Sequence, residues 1–134
     1  KLRINLSGNY TYQRALDVTN SDPASEEGRT YKHQIAYTPR VSGSGQVGIE
    51  TSWVNLSYSF LFSGKRYTQG ENITENRMES YSDHSISVGK ELTIRKINTS
   101  IHIEVLNIGN NNYETIKNIP MPGRSVRATF SIKD

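Results

Sequence analysis

Apolar and polar residues alternate one for one along most of this chain. In the opening run Leu2, Ile4, Leu6, Gly8, Tyr10 and Tyr12 share one side, and Arg3, Asn5, Ser7, Asn9, Thr11 and Gln13 share the other. A period of two is the spacing of a β-strand with a dry face and a wet face. The same alternation returns in Val41, Gly43, Gly45, Val47 and Ile49, interleaved with Ser42, Ser44, Gln46, Gly48 and Glu50. A third run, Trp53 to Thr68, sets Val54, Leu56, Tyr58, Phe60 and Phe62 against Asn55, Ser57, Ser59 and Ser63, with Leu61 out of phase. A fourth, Tyr81 to Lys90, sets Ile86 and Val88 against Asp83, Ser85 and Ser87, and puts His84 on the apolar side. The fifth has Ile97, Thr99, Ile101, Ile103 and Val105 on its apolar side, and the sixth has Val126, Ala128, Phe130 and Ile132. No stretch carries a helical period.

Six long antiparallel strands are therefore expected, running up and down. Their connections alternate long and short: Leu16–Gln34, Glu50–Ser52, Gln69–Asn76, Glu91–Lys96 and Gly109–Gly123. Asn20-Ser21-Asp22-Pro23 and Asn107-Ile108-Gly109-Asn110-Asn111-Asn112 carry the turn-forming residues of loops. The runs reach the roughly 9–11 residues that a tilted strand needs to cross a bilayer, whereas soluble strands are mostly about 5–6 residues long. Long loops at one end and tight turns at the other are the pattern of outer-membrane barrels. Tyr10, Tyr12, Tyr37, Tyr58, Phe60, Phe62, Tyr67 and Tyr81 fall toward the long-loop end, where an interfacial aromatic girdle would lie. Strand propensity alone accounts for any one of these tyrosines. Trp53 and Phe130 fall at the opposite end.

Composition narrows the picture. With 134 residues the chain has room for one small domain, and with no Cys it has neither disulfides nor thiolate metal sites. The net charge of +3 is mild and the basic residues are scattered, which argues against a nucleic-acid partner. Mean hydropathy is −0.65, so no transmembrane helix is expected, but alternating barrel strands average to such values too. The chain opens at Lys1-Leu2-Arg3 in mid-strand, without a starting Met or a leader, and is expected to be a piece of a longer protein.

Several motifs carry a resemblance. They are Tyr37-Thr38-Pro39-Arg40, then Gly64-Lys65-Arg66-Tyr67 with Asn72, then Ser80-Tyr81 and Asp83. Leu106-Asn107 with Asn112-Tyr113-Glu114 follows, and then Pro120-Met121-Pro122-Gly123-Arg124. In order and spacing they resemble the C-terminal part of TonB-dependent outer-membrane receptors. The last two are similar to receptors of Bacteroidetes-type bacteria for cobalamin or siderophores. The resemblance implies the last six strands and last three extracellular loops of a 22-stranded transmembrane barrel, without its plug or TonB box. It implies the bacterial outer membrane as location. As partners it implies membrane lipid, the remaining barrel and plug, the TonB complex, a surface lipoprotein and a small nutrient such as cobalamin, haem or a ferric siderophore. It implies no cofactor. One departure stands at the end: the family usually closes on an aromatic residue, and this chain closes on Ile132-Lys133-Asp134.

The residues offer no catalytic set, so no enzyme is expected. His33, His84 and His102 have no His or Cys partner at ligand spacing. His102 and Glu104 share a strand face, as any two polar residues on a wet face do. Ser63-Gly64-Lys65 lacks the upstream Gly and the helix of a phosphate loop. The Asn-x-Ser/Thr sequons at Asn5, Asn9, Asn55, Asn72 and Asn98 are expected by chance in so Asn/Ser-rich a chain. Glu104 and Arg127 lie on the wet sides of neighbouring strands and are expected to pair as a structural lumen ion pair. By the resemblance, Arg66, Tyr67, Asn72, Asn112 and Tyr113 are candidate ligand contacts in the extracellular loops, and bracing of the loop bases accounts for them equally well. Tyr10, Tyr12, Tyr58, Phe60 and Phe62 are the candidate girdle. The competing reading is a soluble all-β ligand- or carbohydrate-binding module, with its apolar faces turned inward around a core.

Overall fold

A computed structural model of the chain describes residues 2–19, 22, 24–25, 27–94 and 97–133. The long strands are β1 (Arg3–Tyr12), β2 (Val41–Glu50), β3 (Asn55–Ser63), β6 (Tyr81–Ile94), β7 (Ile97–Leu106) and β10 (Ser125–Lys133). Between them lie two small hairpins, β4 (Arg66–Tyr67) with β5 (Arg77–Met78), and β8 (Glu114–Ile116) with β9 (Ile119–Pro120). Two single-turn 3₁₀ segments, Glu27–Thr30 and Thr74–Asn76, are the helical content of the described residues. The long strands form one six-stranded antiparallel sheet in the order β1-β2-β3-β6-β7-β10, each beside the next in sequence.

The pairing registers line side chains up in rows, because directly opposed residues point to the same face. Ile4, Ile49, Leu56, Val88, Ile103 and Ala128 make one row across all six strands. Leu6, Val47, Tyr58, Ile86, Val105 and Val126 make the next row on that face. On the other face, one residue along, stand Asn5, Gly48, Ser57, Ser87, Glu104 and Arg127. Each strand thus divides cleanly, and the division agrees from strand to strand.

What this sheet lacks is a core. Among the described residues Met78 is the one buried apolar side chain, and it belongs to a loop hairpin. Leu6 is 79% exposed, Val126 69% and Phe130 62%; every residue of β1 is exposed. A water-soluble sheet buries one face against a second layer. Here no second layer exists among the described residues, and the outer edges of β1 and β10 have no strand beside them.

Several expectations are corrected. Trp53 does not open β3: it sits in the β2–β3 turn, where the Thr51 hydroxyl accepts the Val54 N–H at 3.0 Å. The third run stops at Ser63, because Gly64 bends the chain against β2 and donates its N–H to Val41 O at 2.8 Å. The expected turn from Glu91 starts too early: β6 continues through Leu92, which holds the apolar phase, to Ile94, which pairs Ile97. Arg95 and Lys96 lie outside the described residues, as do Lys1, Asn20, Ser21, Pro23, Glu26 and Asp134. His84 keeps its unexpected place on the apolar face, opposite Phe60, and the Tyr58 hydroxyl bonds its Nδ1 at 2.7 Å.

Candidate functional site at the loop end of the sheet

The three long connections gather at one end and are knitted together by polar groups. In the first, Leu16 bridges Gln34, and Gln34 is 5% exposed. The Asn72 side chain, from the second connection, accepts the Gln34 N–H at 2.5 Å and donates to Gln34 O at 2.9 Å. Asn72 therefore acts as a surrogate strand partner, satisfying a buried peptide on both sides. Tyr67 offers its carbonyl to the Tyr37 N–H at 2.7 Å, at a point where Tyr37 has a φ of 56°.

Arg66 ties the second connection to the third. It is 3% exposed, and its Nη2 donates to the carbonyls of Glu114 and Thr115. Its guanidinium also lies 5.1 Å from the Tyr81 ring centre. Tyr81 projects from the polar face of β6, and Tyr113 stacks on it, with centroids 4.3 Å apart and planes 8° from parallel. The Tyr113 hydroxyl donates to Asp83 Oδ2 at 2.5 Å, while Asp83 Oδ1 has no partner. Burial first, and the adjoining Asp83 carboxylate second, push the Tyr113 phenol above its ordinary range.

Beside this stack lies an open cleft of 670 Å³, walled by Arg77 to Ser82 on one side and by Asn111–Glu114, Lys117, Asn118 and Pro120 on the other. Of the five residues expected as ligand contacts, Asn112 and Tyr113 face it; Arg66, Tyr67 and Asn72 do not line it. Arg66 and Asn72 spend their polar groups on backbone, which is the work of a brace.

The base of the last connection is closed by Asn107, 2% exposed, in the left-handed region at φ 49°. Its Nδ2 donates to Asn111 O at 2.9 Å and Pro122 O at 3.2 Å, and its Oδ1 accepts the Asn111 N–H. Arg124 adds a bond from Nε to Ile108 O at 2.9 Å. Asn tolerates this backbone region better than other side chains.

On the polar face of the sheet, Arg127 stands opposite Glu104, with Nη2 and Nε each 2.5 Å from Oε2. His102 Nε2 lies 3.5 Å from the other carboxylate oxygen. Arg3, Asn5 and Glu50 form a second polar set on the same face.

The five girdle candidates, Tyr10, Tyr12, Tyr58, Phe60 and Phe62, share the apolar face but not one level. Tyr10 and Phe62 lie in one row, on either side of Gly43. Tyr12 lies one row beyond; Phe60 and Tyr58 lie one and two rows below. Phe60 lies over Gly45, where a Cβ would come within 2.5 Å of its ring.

Gln34, Asp83 and Asn107 were not singled out as site residues, and neither was Tyr81. One signal was there for Tyr81: it falls on the polar phase of its strand, and an aromatic ring on a wet face needs a partner. Among the described residues no cluster of three or more His, Asp or Glu side chains could hold a metal ion. No family model matches the chain, and no curated protein matches it.

Proposed function

We propose that the chain is a segment of the wall of a TonB-dependent outer-membrane receptor, with its apolar face against lipid and its polar face toward the lumen. One observation carries this reading: a six-stranded up-and-down sheet whose apolar face has no protein cover among the described residues. Strands of ten residues are about 33 Å long, and at the tilt of a barrel they rise through roughly the 25 Å of an outer-membrane apolar band. Lipid demands that every backbone group be paired, which the ladders between neighbouring strands do. The two open edges call for further strands, because six alone close no barrel with a lumen. In this reading the segment supplies wall and loops for the uptake of a small nutrient, and it performs no covalent chemistry.

The test is the behaviour of the purified chain with and without detergent. The reading expects aggregation in buffer. In detergent or liposomes, co-refolded with the strands that complete its barrel, it expects β-structure that resists SDS until heated. A chain that stays monomeric in buffer and unfolds in one cooperative step would instead be the soluble all-β module.

A further inference from the structure

The sheet has a step at its turn end, and one charged side chain stands in it. Pairing between β3 and β6 stops at Asn55 and Gly89, but β6 runs on to Ile94 against β7. From Lys90 to Ile94 no strand lies on the β3 side of β6 among the described residues. The N–H and C=O groups turned to that side need water or lipid headgroups, because hydrocarbon offers them no partner. In the membrane reading the apolar layer therefore ends at this level of β6.

Lys90 is the first residue past the end of that ladder, and it stands on the apolar face. It pairs Ile101, which pairs Phe130, so the three make one row. Lys90 is exposed and Phe130 is 62% exposed. Among the described residues no carboxylate pairs with the Lys90 ammonium. Glu91 pairs Ser100 and belongs to the opposite face. On the open side of the step, Trp53 sits in the β2–β3 turn, two residues before Asn55 and 68% exposed. An indole and a lysine at one level are the residues that settle where acyl chains meet headgroups. We propose that this step binds an anionic phospholipid, with the Lys90 ammonium on the phosphodiester and an acyl chain along Ile101 and Phe130. A cation on a lipid-facing wall is costly until it meets an anion at the interface. A zwitterionic headgroup carries its own ammonium, which competes with Lys90 for the phosphate, so the anionic lipid is preferred. The proposal rests on the membrane reading and adds a lipid preference that the reading alone does not require.

The experiment uses the full chain, co-refolded with the strands that complete its barrel and placed in phosphatidylcholine liposomes. A fraction of the lipid is dibrominated, either phosphatidylglycerol or phosphatidylcholine, and bromine quenches a neighbouring indole. Trp53 is the one tryptophan of the chain, and the same assembly with Trp53→Phe gives the background. The expected result is stronger quenching by the phosphatidylglycerol, equivalent to a preference of about fivefold at the site. Lys90→Gln should abolish the preference and Lys90→Arg should keep it. Soluble glycerophosphate at constant ionic strength should leave it unchanged. Equal quenching by the two lipids, or a preference that survives Lys90→Gln, overturns the proposal and leaves the membrane reading standing. Loss of the preference in glycerophosphate overturns it in favour of a free-phosphate site. Quenching by neither lipid sinks the membrane reading and the proposal with it.

Discussion

Arg127 and Glu104 face each other across β7 and β10, with Nη2 and Oε2 2.5 Å apart. The arginine side chain is 63% exposed and the glutamate 21%, so solvent screens the pair. A double-mutant cycle with Arg127→Ala and Glu104→Ala should give a coupling close to the limit of measurement. Denaturant titration of the chain, co-refolded in detergent with the strands that complete its barrel, measures it. A coupling several times larger would mean that water is excluded from this face.

Arg66→Ala should act on the loops and leave the sheet intact. It strips the Glu114 and Thr115 carbonyls of a charged donor, at a local cost of about 1.5–3 kcal/mol. Proteolysis after Lys117 should accelerate while the β-sheet circular dichroism stays unchanged. Arg66→Lys should rescue only in part, because it loses the bond from Nη1 to Glu79 O at 3.5 Å and the flat cation over the Tyr81 ring.

Two glycines should respond in opposite senses to the same substitution. A Cβ at Gly64 would lie 2.9 Å from Val41 O, a backbone atom that cannot swing aside. Gly64→Ala should cost about 1–3 kcal/mol. A Cβ at Gly8 meets Ser44 O at 3.5 Å, an ordinary contact. Gly8→Ala should be neutral or stabilise by roughly 0.5 kcal/mol through reduced chain entropy. Thermal unfolding of the two variants, co-refolded in detergent with the strands that complete the barrel, decides both.

The first connection should loosen in acid. Asp17 is held below its ordinary value of 3.8, at about 2, chiefly by the Thr19 hydroxyl and then by the Thr30 hydroxyl and the Thr19 N–H. A lowered folded value means that these bonds contribute fully above pH 3.8 and are lost as pH falls through about 2. The Thr19 amide resonance should titrate with a midpoint near 2, and in Asp17→Asn the step should vanish. A midpoint near 3.8 would mean that the bonds do not form.

The strands were legible because period two is local: Leu2 to Tyr12 shows its faces without any knowledge of its neighbours. Legibility failed where the phase was interrupted. Lys90 breaks the apolar run of β6, and only pairing with β7 shows that the strand runs on through Leu92 to Ile94. Two-residue hairpins such as β4–β5 are too short to show any period. The loop network was out of reach for a different reason. Arg66 bonds carbonyls 48 and 49 residues away, and Tyr113 bonds a carboxylate 30 residues away. Nothing in the composition of a loop names such partners.

Asn107 has a consequence for how this molecule can change over generations. Its side chain holds both feet of the last connection, at Asn111 and at Pro122. Strain from a lengthened or shortened loop interior would stop at that clasp before reaching β7 or β10. Variation at the tip, around Asn118 and Ile119, is thus insulated from the sheet, so new surfaces can be tried there at little risk to folding, whereas Tyr113 to Thr115 stay tied to Asp83 and Arg66. Substitution of Asn107 itself would remove that freedom.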